Sequence, residues 1–102
     1  LRTHGDGDGG LFTGILARYL TVAASSERLP ADAREQARML VANTAAAFWS
    51  GRRLENHRTW EVLVFSKDPA LPAKTTYPPG ERVQLSTQLQ AWMTLEAAAS
   101  VA

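Results

Sequence analysis

Apolar residues recur at helical spacing in three stretches of the chain, and the first of these lies just after a glycine-rich start. Its apolar positions are Leu11, Phe12, Ile15, Leu16, Tyr19, Leu20 and Ala23. This spacing predicts a helix with one broad apolar face. Two serines at 25 and 26 break the pattern, so the helix should end between residues 24 and 27.

The second stretch predicts a helix from about Ala31 to Ser50. Pro30 suits its first turn, and Gly51 is a natural stop. Its apolar side contains Ala33, Ala37, Leu40, Val41, Thr44, Ala45, Phe48 and Trp49. Because small residues dominate positions 42–47, another backbone can approach closely, and we expect this helix to pack tightly on a neighbour.

Residues 52–85 form a connection that is longer than the roughly 12–15 residues usual for a structureless loop. Within it, the β-branched and aromatic run WEVLVF at 60–65 predicts a short strand. Prolines at 69, 72, 78 and 79 predict an extended, turn-rich path after that strand. A third helix should begin at about Ser86, a good N-cap, and continue through Leu89, Trp92, Met93, Leu95 and Ala99.

The expected topology indicates where a site would lie. If the three helices alternate in direction, the first and third are parallel, and their N-termini lie at one end. The loop at 4–10 would then meet the long connection that carries Trp60, Tyr77, Gln84 and Gln88. A binding site is predicted at that end.

Composition narrows the class of partner. The chain has 102 residues, enough for one small domain or a piece of a larger one. A net charge of +1 gives no field that would gather nucleic acid or anionic lipid, so we expect neither partner.

No cysteine is present, which excludes disulfides and thiolate chemistry. No apolar run approaches the ~20 residues of a membrane span. Because the sequence starts with Leu1, we expect it to be excised from something longer.

The loop HGDGDGG at 4–10 is the main carrier of candidate chemistry. Its glycines match G-x-G-x-x-G, but no strand precedes them, and Asp6 and Asp8 would repel a phosphate. The two aspartates also resemble the start of a calcium loop, although its later ligands are missing. We therefore expect no metal and no cofactor. From the residues alone, both aspartates are better interpreted as N-terminal loop and helix-cap residues than as a general acid and base.

Other polar and aromatic residues have structural interpretations. His4 and His57 are too few for a histidine-rich metal site and are expected at the surface. Arg52, Arg53 and Arg58 follow the second helix, where cations complement its C-terminal dipole. The aromatic rings could stack on sugars, but most are expected in the core.

A family resemblance favours a binding role for the loop at 4–10. The run from Asp8 to Leu20, DGGLFTGILARYL, resembles the signature D-G-x-x-F-K-G-I-F-x-R-Y-L of glycoside hydrolase family 76, the endo-α-1,6-mannanases. The segment NTAAAFW at 43–49 resembles that family's N-A-x-x-x-W helix, and STQLQA at 86–91 resembles its last helix. Thr13 departs from the signature, which usually has lysine there.

The resemblance implies an all-α fold: helical hairpins forming part of an (α/α)6 barrel, with one long loop carrying a short strand. Residues 1–102 would be the C-terminal portion of that domain. It also implies a retaining hydrolase, secreted or at the cell surface, whose adjacent Asp-Asp catalytic pair lies upstream of this chain. Asp6 and Asp8 would bind mannose hydroxyls, with Phe12 and Trp60 as apolar walls of the groove. The partner would be a polysaccharide or oligosaccharide.

Two alternatives stand beside this interpretation. The chain could be a stand-alone helical interaction module, or a piece of another (α/α)6 enzyme such as an epimerase or an unsaturated-glucuronide hydrolase. If the chain is a fragment of a mannanase or of another (α/α)6 enzyme, its apolar helix faces would contact the rest of the parent chain or a second copy.

Overall fold

The computed structural model describes residues 11–57 and 60–101. Three long helices account for most of this part of the chain: α1 (Phe12–Ala24), α2 (Ala31–Ser50) and α4 (Leu85–Ser100). Between α2 and α4 lie two strands, β1 (Arg53–His57) and β2 (Trp60–Val64), and a single helical turn, α3 (Ala73–Thr76). The fold is therefore mostly helical with one small sheet.

The three predicted helices are confirmed, with one correction at a terminus. α2 has Pro30 as its N-cap residue and Gly51 as its C-cap residue. The last helix begins one residue earlier than expected, at Leu85, and its N-cap position is Gln84 rather than Ser86. The Ser86 hydroxyl is buried without a hydrogen-bond partner in the described part of the chain, so it does not cap the helix.

The prediction of one short strand in residues 52–85 is incomplete. The strand at Trp60–Val64 is confirmed, but it pairs antiparallel with β1, from Arg53 opposite Val64 to His57 opposite Trp60. β1 reads RLENH, so it lacks the apolar alternation that marks a strand. Pairing with β2 supplies its backbone hydrogen bonds, and the two strands form a hairpin.

Contacts between α1 and α4 show that these helices run parallel, as the topology predicted. Gly14 lies against α4 so closely that a Cβ atom there would be 3.1 Å from the Cα atom of Gln90. One turn further along α1, Ala17 shares a buried cluster with Ala97. Progress along α1 therefore follows progress along α4.

α2 runs in the opposite direction to α4. Val41 packs in the cluster that contains Ala97, whereas Phe48, two turns later, packs with Ala91 and Phe65. α2 is therefore antiparallel to α4. Both N-termini, of α1 and α4, lie beside the C-terminus of α2.

The buried face of α1 differs from its broadest apolar face, whereas most of the predicted apolar side of α2 is buried. The buried residues of α1 are small ones, Thr13, Gly14 and Ala17. Its larger apolar side chains Ile15, Leu16, Tyr19 and Val22 are exposed. In α2 the predicted apolar side is buried at Ala37, Val41, Thr44, Ala45 and Phe48, while Leu40 and Trp49 are exposed. On α1 the small residues pack inside, whereas on α2 the buried face also contains the large side chains of Val41 and Phe48.

Candidate functional site

The end of the bundle where α1 and α4 begin is the candidate site. The hairpin and the segment that follows it, residues 65–77, lie at the same end because they are tied to the first turns of α4. Asp6 and Asp8 precede α1 directly in sequence but lie outside the described residues. Phe12 is the first residue of α1, and its side chain is likewise not described.

A pair of hydrogen bonds attaches the hairpin to α4. The side-chain carbonyl of Gln88 accepts from the Phe65 backbone N–H, and its amide nitrogen donates to the Phe65 carbonyl oxygen, each at 2.8 Å. Phe65 is the residue directly after β2 and is fully buried. The exit of the hairpin is therefore fixed on the first turn of α4.

A second set of bonds holds the turn at residues 73–77. The Tyr77 hydroxyl and the Thr87 hydroxyl are 2.7 Å apart in a buried position. The Arg53 guanidinium donates through Nε to the Tyr77 carbonyl oxygen at 2.7 Å. A second nitrogen of this guanidinium, Nη1, lies 3.4 Å from the Glu55 carboxylate. Tyr77 thus links the start of α4 to the base of β1.

An aromatic cluster surrounds Phe65. Trp92 meets it edge to face with ring centroids 5.3 Å apart, and Trp49 meets it at a tilt with centroids 6.5 Å apart. The Arg52 guanidinium lies 3.8 Å from the Trp49 ring centroid and donates to the Trp49 carbonyl oxygen at 2.7 Å. Arg52 therefore satisfies a carbonyl at the end of α2, as the dipole argument predicted for this residue. Arg58 lies outside the described residues.

One buried amide near α1 lacks a full set of partners. Gln90 is fully buried, its amide nitrogen donates to the Lys67 carbonyl at 3.3 Å, and its side-chain oxygen has no partner within the described residues. Thr13, the position where the family signature has lysine, is also fully buried. The buried side chains at this end of the bundle are thus polar as well as apolar.

The structure separates Trp60 from this packed region. Trp60 is the first residue of β2, at the far end of the hairpin from Val64, and its side chain is 72% exposed. Tyr77, Gln84 and Gln88 lie at or near the start of α4, as expected. The sequence thus places Trp60 on the correct segment but not at the helix ends.

The sequence places Gln88 at this end and Arg53 just after α2, but it does not predict the partners that make them positioning residues. A glutamine in a helix and an arginine after one are ordinary surface residues by pattern. Their partners, Phe65 and the Tyr77 carbonyl, are 23 and 24 positions away. No local signal in the sequence indicates such pairs.

Charged groups with shifted pKa values lie away from this end. The Arg38 guanidinium hydrogen-bonds the Glu35 carboxylate and holds the pKa of Glu35 below its ordinary value. Both residues are on the exposed surface of α2, about 15–20 Å along the helix axis from Phe48. In the part of the chain that is described, no three His, Cys, Asp or Glu side chains are grouped so that they could hold a metal ion. None of the described helices has the length and apolar character needed to cross a bilayer.

Together these features define the class of fold. It is a helical bundle in which α1 and α4 are parallel and α2 is antiparallel to them, with a structured connection at one end. No protein-family model matches the chain, and no curated protein matches its sequence. A solved structure does match it. The GH76A α-1,6-mannanase from Salegentibacter sp. HEL1_6 is similar over 100% of this chain, with 31% sequence identity and a TM-score of 0.75.

A second structure of that enzyme gives the same identity and TM-score. It is an inactive variant with two aspartates replaced by asparagine, in complex with α-1,6-mannotriose. In both comparisons, the chain spans 27% of the length of the mannanase. The resemblance to glycoside hydrolase family 76 that the sequence motifs indicated is therefore confirmed by structural comparison.

Proposed function

We propose that this chain is the C-terminal portion of a glycoside hydrolase that acts on α-1,6-mannan or a related polysaccharide. The observation that carries the proposal is the similarity to a family 76 mannanase along the entire chain, at 31% identity. At that level of sequence identity over the whole chain, the similarity indicates more than a shared packing of helices. The large apolar side chains left exposed on α1 and α4 also support a larger parent fold.

The role proposed for this portion is to line the substrate groove. Asp6 and Asp8 accept hydrogen bonds from mannose hydroxyls, Phe12 forms an apolar wall, and Trp60 adds an aromatic surface on the hairpin, beyond the part of the groove that the other three line. Two features of the described residues support this role. Phe12 begins α1 at the end where α4 also begins, and the hairpin that carries Trp60 is fastened to α4 at that same end.

The chemistry itself would come from outside this chain. A retaining glycosidase needs two carboxyl groups about 5–5.5 Å apart, one as nucleophile and one as acid and then base. Asp6 and Asp8 are separated by a glycine and are assigned to binding rather than to this pair. The proposal therefore requires an upstream Asp-Asp pair in the parent protein.

The test is activity of the full-length protein that contains this chain. We expect α-1,6-mannan to be cleaved to oligosaccharides with retained anomeric configuration, and β-linked mannan to be left intact. Replacing the upstream aspartate pair with asparagine should abolish product formation, and the 102-residue chain alone should release none. Failure of the full-length protein to cleave any α-mannan would overturn the proposal, as would cleavage by the isolated chain.

A further inference from the structure

The hairpin continues the long axis of the molecule. The 20 residues of α2 extend about 30 Å, and a five-residue strand adds about 17 Å. The molecule measures 49 Å in its longest dimension and only 24 and 18 Å in the others. Because β1 begins three residues after α2 ends, these lengths indicate that the hairpin projects beyond the helix ends rather than folding back on them.

The base of this projection is fixed, and Trp60, near its other end, is exposed. Val64 is buried, and Leu63 packs against the cluster of Phe48 and Phe65. Trp60 lies four residues before Val64, at the start of β2, which places it about 13 Å from Val64. The hairpin, whose base is fixed, therefore holds the Trp60 indole at a distance from the region where α1 and α4 begin.

Trp60 differs from the other tryptophans in how open its ring is. Trp49 is covered by the Arg52 guanidinium and is also in contact with Phe65. Trp92 is about half exposed and packs edge to face with Phe65. Trp60 is 72% exposed, the most of the three. An indole ring presents a large, rigid apolar surface, which suits the C–H face of a sugar.

We infer that Trp60 binds a sugar unit several positions away from the bond that is cleaved, so that the hairpin favours long chains over short ones. This rests on the proposed function, which places the groove where α1 and α4 begin. The arm reaches further from that region than one sugar ring extends, so a short oligosaccharide in the groove does not reach Trp60. A long chain meets the indole and gains one stacking contact.

The experiment compares substrate lengths in the full-length protein. Trp60→Ala should lower kcat/KM for long α-1,6-mannan about tenfold, chiefly through KM, and leave kcat/KM for the shortest cleaved oligosaccharide unchanged. Trp60→Phe should restore most of the loss because it keeps an aromatic face. Leu54→Ala is the matched control: Leu54 is an exposed apolar residue of the same hairpin, on the opposite face from Trp60, and its loss should affect neither substrate.

Three outcomes would overturn the inference while leaving the proposed function in place. The first is an equal loss on long and short substrates, and the second is no loss on either. The third is a marked fall in melting temperature for Trp60→Ala, which would show that Trp60 packs against another part of the parent protein. If the wild-type protein cleaves no α-mannan, the proposed function fails, and this inference fails with it.

Discussion

The side-chain amide of Gln88 pairs with the backbone of Phe65 in both directions, as a neighbouring strand would. Its oxygen accepts from the Phe65 N–H and its nitrogen donates to the Phe65 carbonyl, each at 2.8 Å. The two residues are 23 positions apart in the sequence. One side chain on α4 therefore determines where the hairpin leaves the helical bundle.

Gln88→Ala should destabilise the fold by about 1–3 kcal/mol, because the backbone groups of a buried residue lose their partners. Phe65 is fully buried, so replacement by bulk water is restricted. Urea denaturation followed by far-ultraviolet circular dichroism measures the change.

Gln36→Ala is the control for this substitution. Gln36 is an exposed glutamine on α2, and its loss should change the free energy of unfolding by less than about 0.5 kcal/mol. Equal effects of the two substitutions would show that the pairing of Gln88 with Phe65 contributes nothing beyond an ordinary surface residue.

Gly14→Ala should also destabilise the protein, although alanine is the better helix former. A Cβ atom at position 14 would lie 3.1 Å from Gln90 Cα and 3.2 Å from both Gln90 O and Met93 Cβ. Overpacking costs about 1–3 kcal/mol, which exceeds the gain of roughly 1 kcal/mol in helix propensity. Differential scanning calorimetry should show a lower melting temperature.

The matched control reverses the substitution at an open position. Ala42 is exposed on α2, so Ala42→Gly should cost only the intrinsic propensity of about 1 kcal/mol. If Gly14→Ala instead stabilises the protein by a similar amount, the close approach of α1 and α4 at Gly14 is wrong.

The boundaries of α2 could be predicted because local residues determine them. Pro30 fixes an extended backbone angle just before the helix, and Gly51 follows its last turn. β1 could not be predicted in the same way. Its residues, including Glu55 and Asn56, have low strand propensity, and only the partner strand gives them that conformation.

Helical periodicity finds an apolar face but does not say what that face contacts. In α1 the pattern identified large residues such as Ile15 and Tyr19, which the structure leaves exposed. The packed face is formed by Gly14 and Ala17, because small residues allow α4 to approach. Which face is buried depends on the neighbouring helix, and that information is not local.

The candidate site was predictable as a location and not as a set of contacts. Alternating helix directions placed the starts of α1 and α4 together, and the structure confirms this. The cluster of Trp49, Phe65 and Trp92 joins three separate segments, so no spacing in the sequence reveals it. Asp6 and Asp8 remain predictions from the family resemblance.

Asp8→Ala in the full-length protein should weaken binding of α-1,6-mannotriose by about 10- to 100-fold, since a hydrogen bond to a charged group contributes about 1.5–3 kcal/mol. Stability should change little, because the N-cap residue of α1 is Leu11 and not an aspartate, which corrects the helix-cap interpretation of Asp8. Titration calorimetry on a variant that lacks the catalytic pair measures the affinity without hydrolysis.

Asp32→Ala is the corresponding control. Asp32 is an exposed carboxylate in the first turn of α2, at the opposite end of the bundle. It should leave the affinity for mannotriose unchanged. Unchanged affinity in Asp8→Ala as well would exclude Asp8 from the binding role.

The isolated 102-residue chain should self-associate at micromolar concentration. A groove of about 400 Å³ between α1 and α4 is lined by Ile15, Arg18, Tyr19, Val22 and Met93. Tyr19 is 71% exposed and Val22 67%, so much of this lining faces outward. Apolar patches larger than roughly 300–600 Å² mark interfaces, and a two-fold dimer is the commonest closed assembly.

Val22→Glu should weaken this association at least about tenfold, because it places a charge in the contact at a cost above 1.4 kcal/mol. Val62→Glu makes the same substitution at an exposed position of the hairpin and should leave association unchanged. Sedimentation velocity across a concentration series measures both, with circular dichroism to verify that the helices are retained. A wild-type chain that sediments as a monomer and melts in one sharp transition would contradict the prediction. That result would instead favour a self-contained helical module whose exposed groove needs no partner.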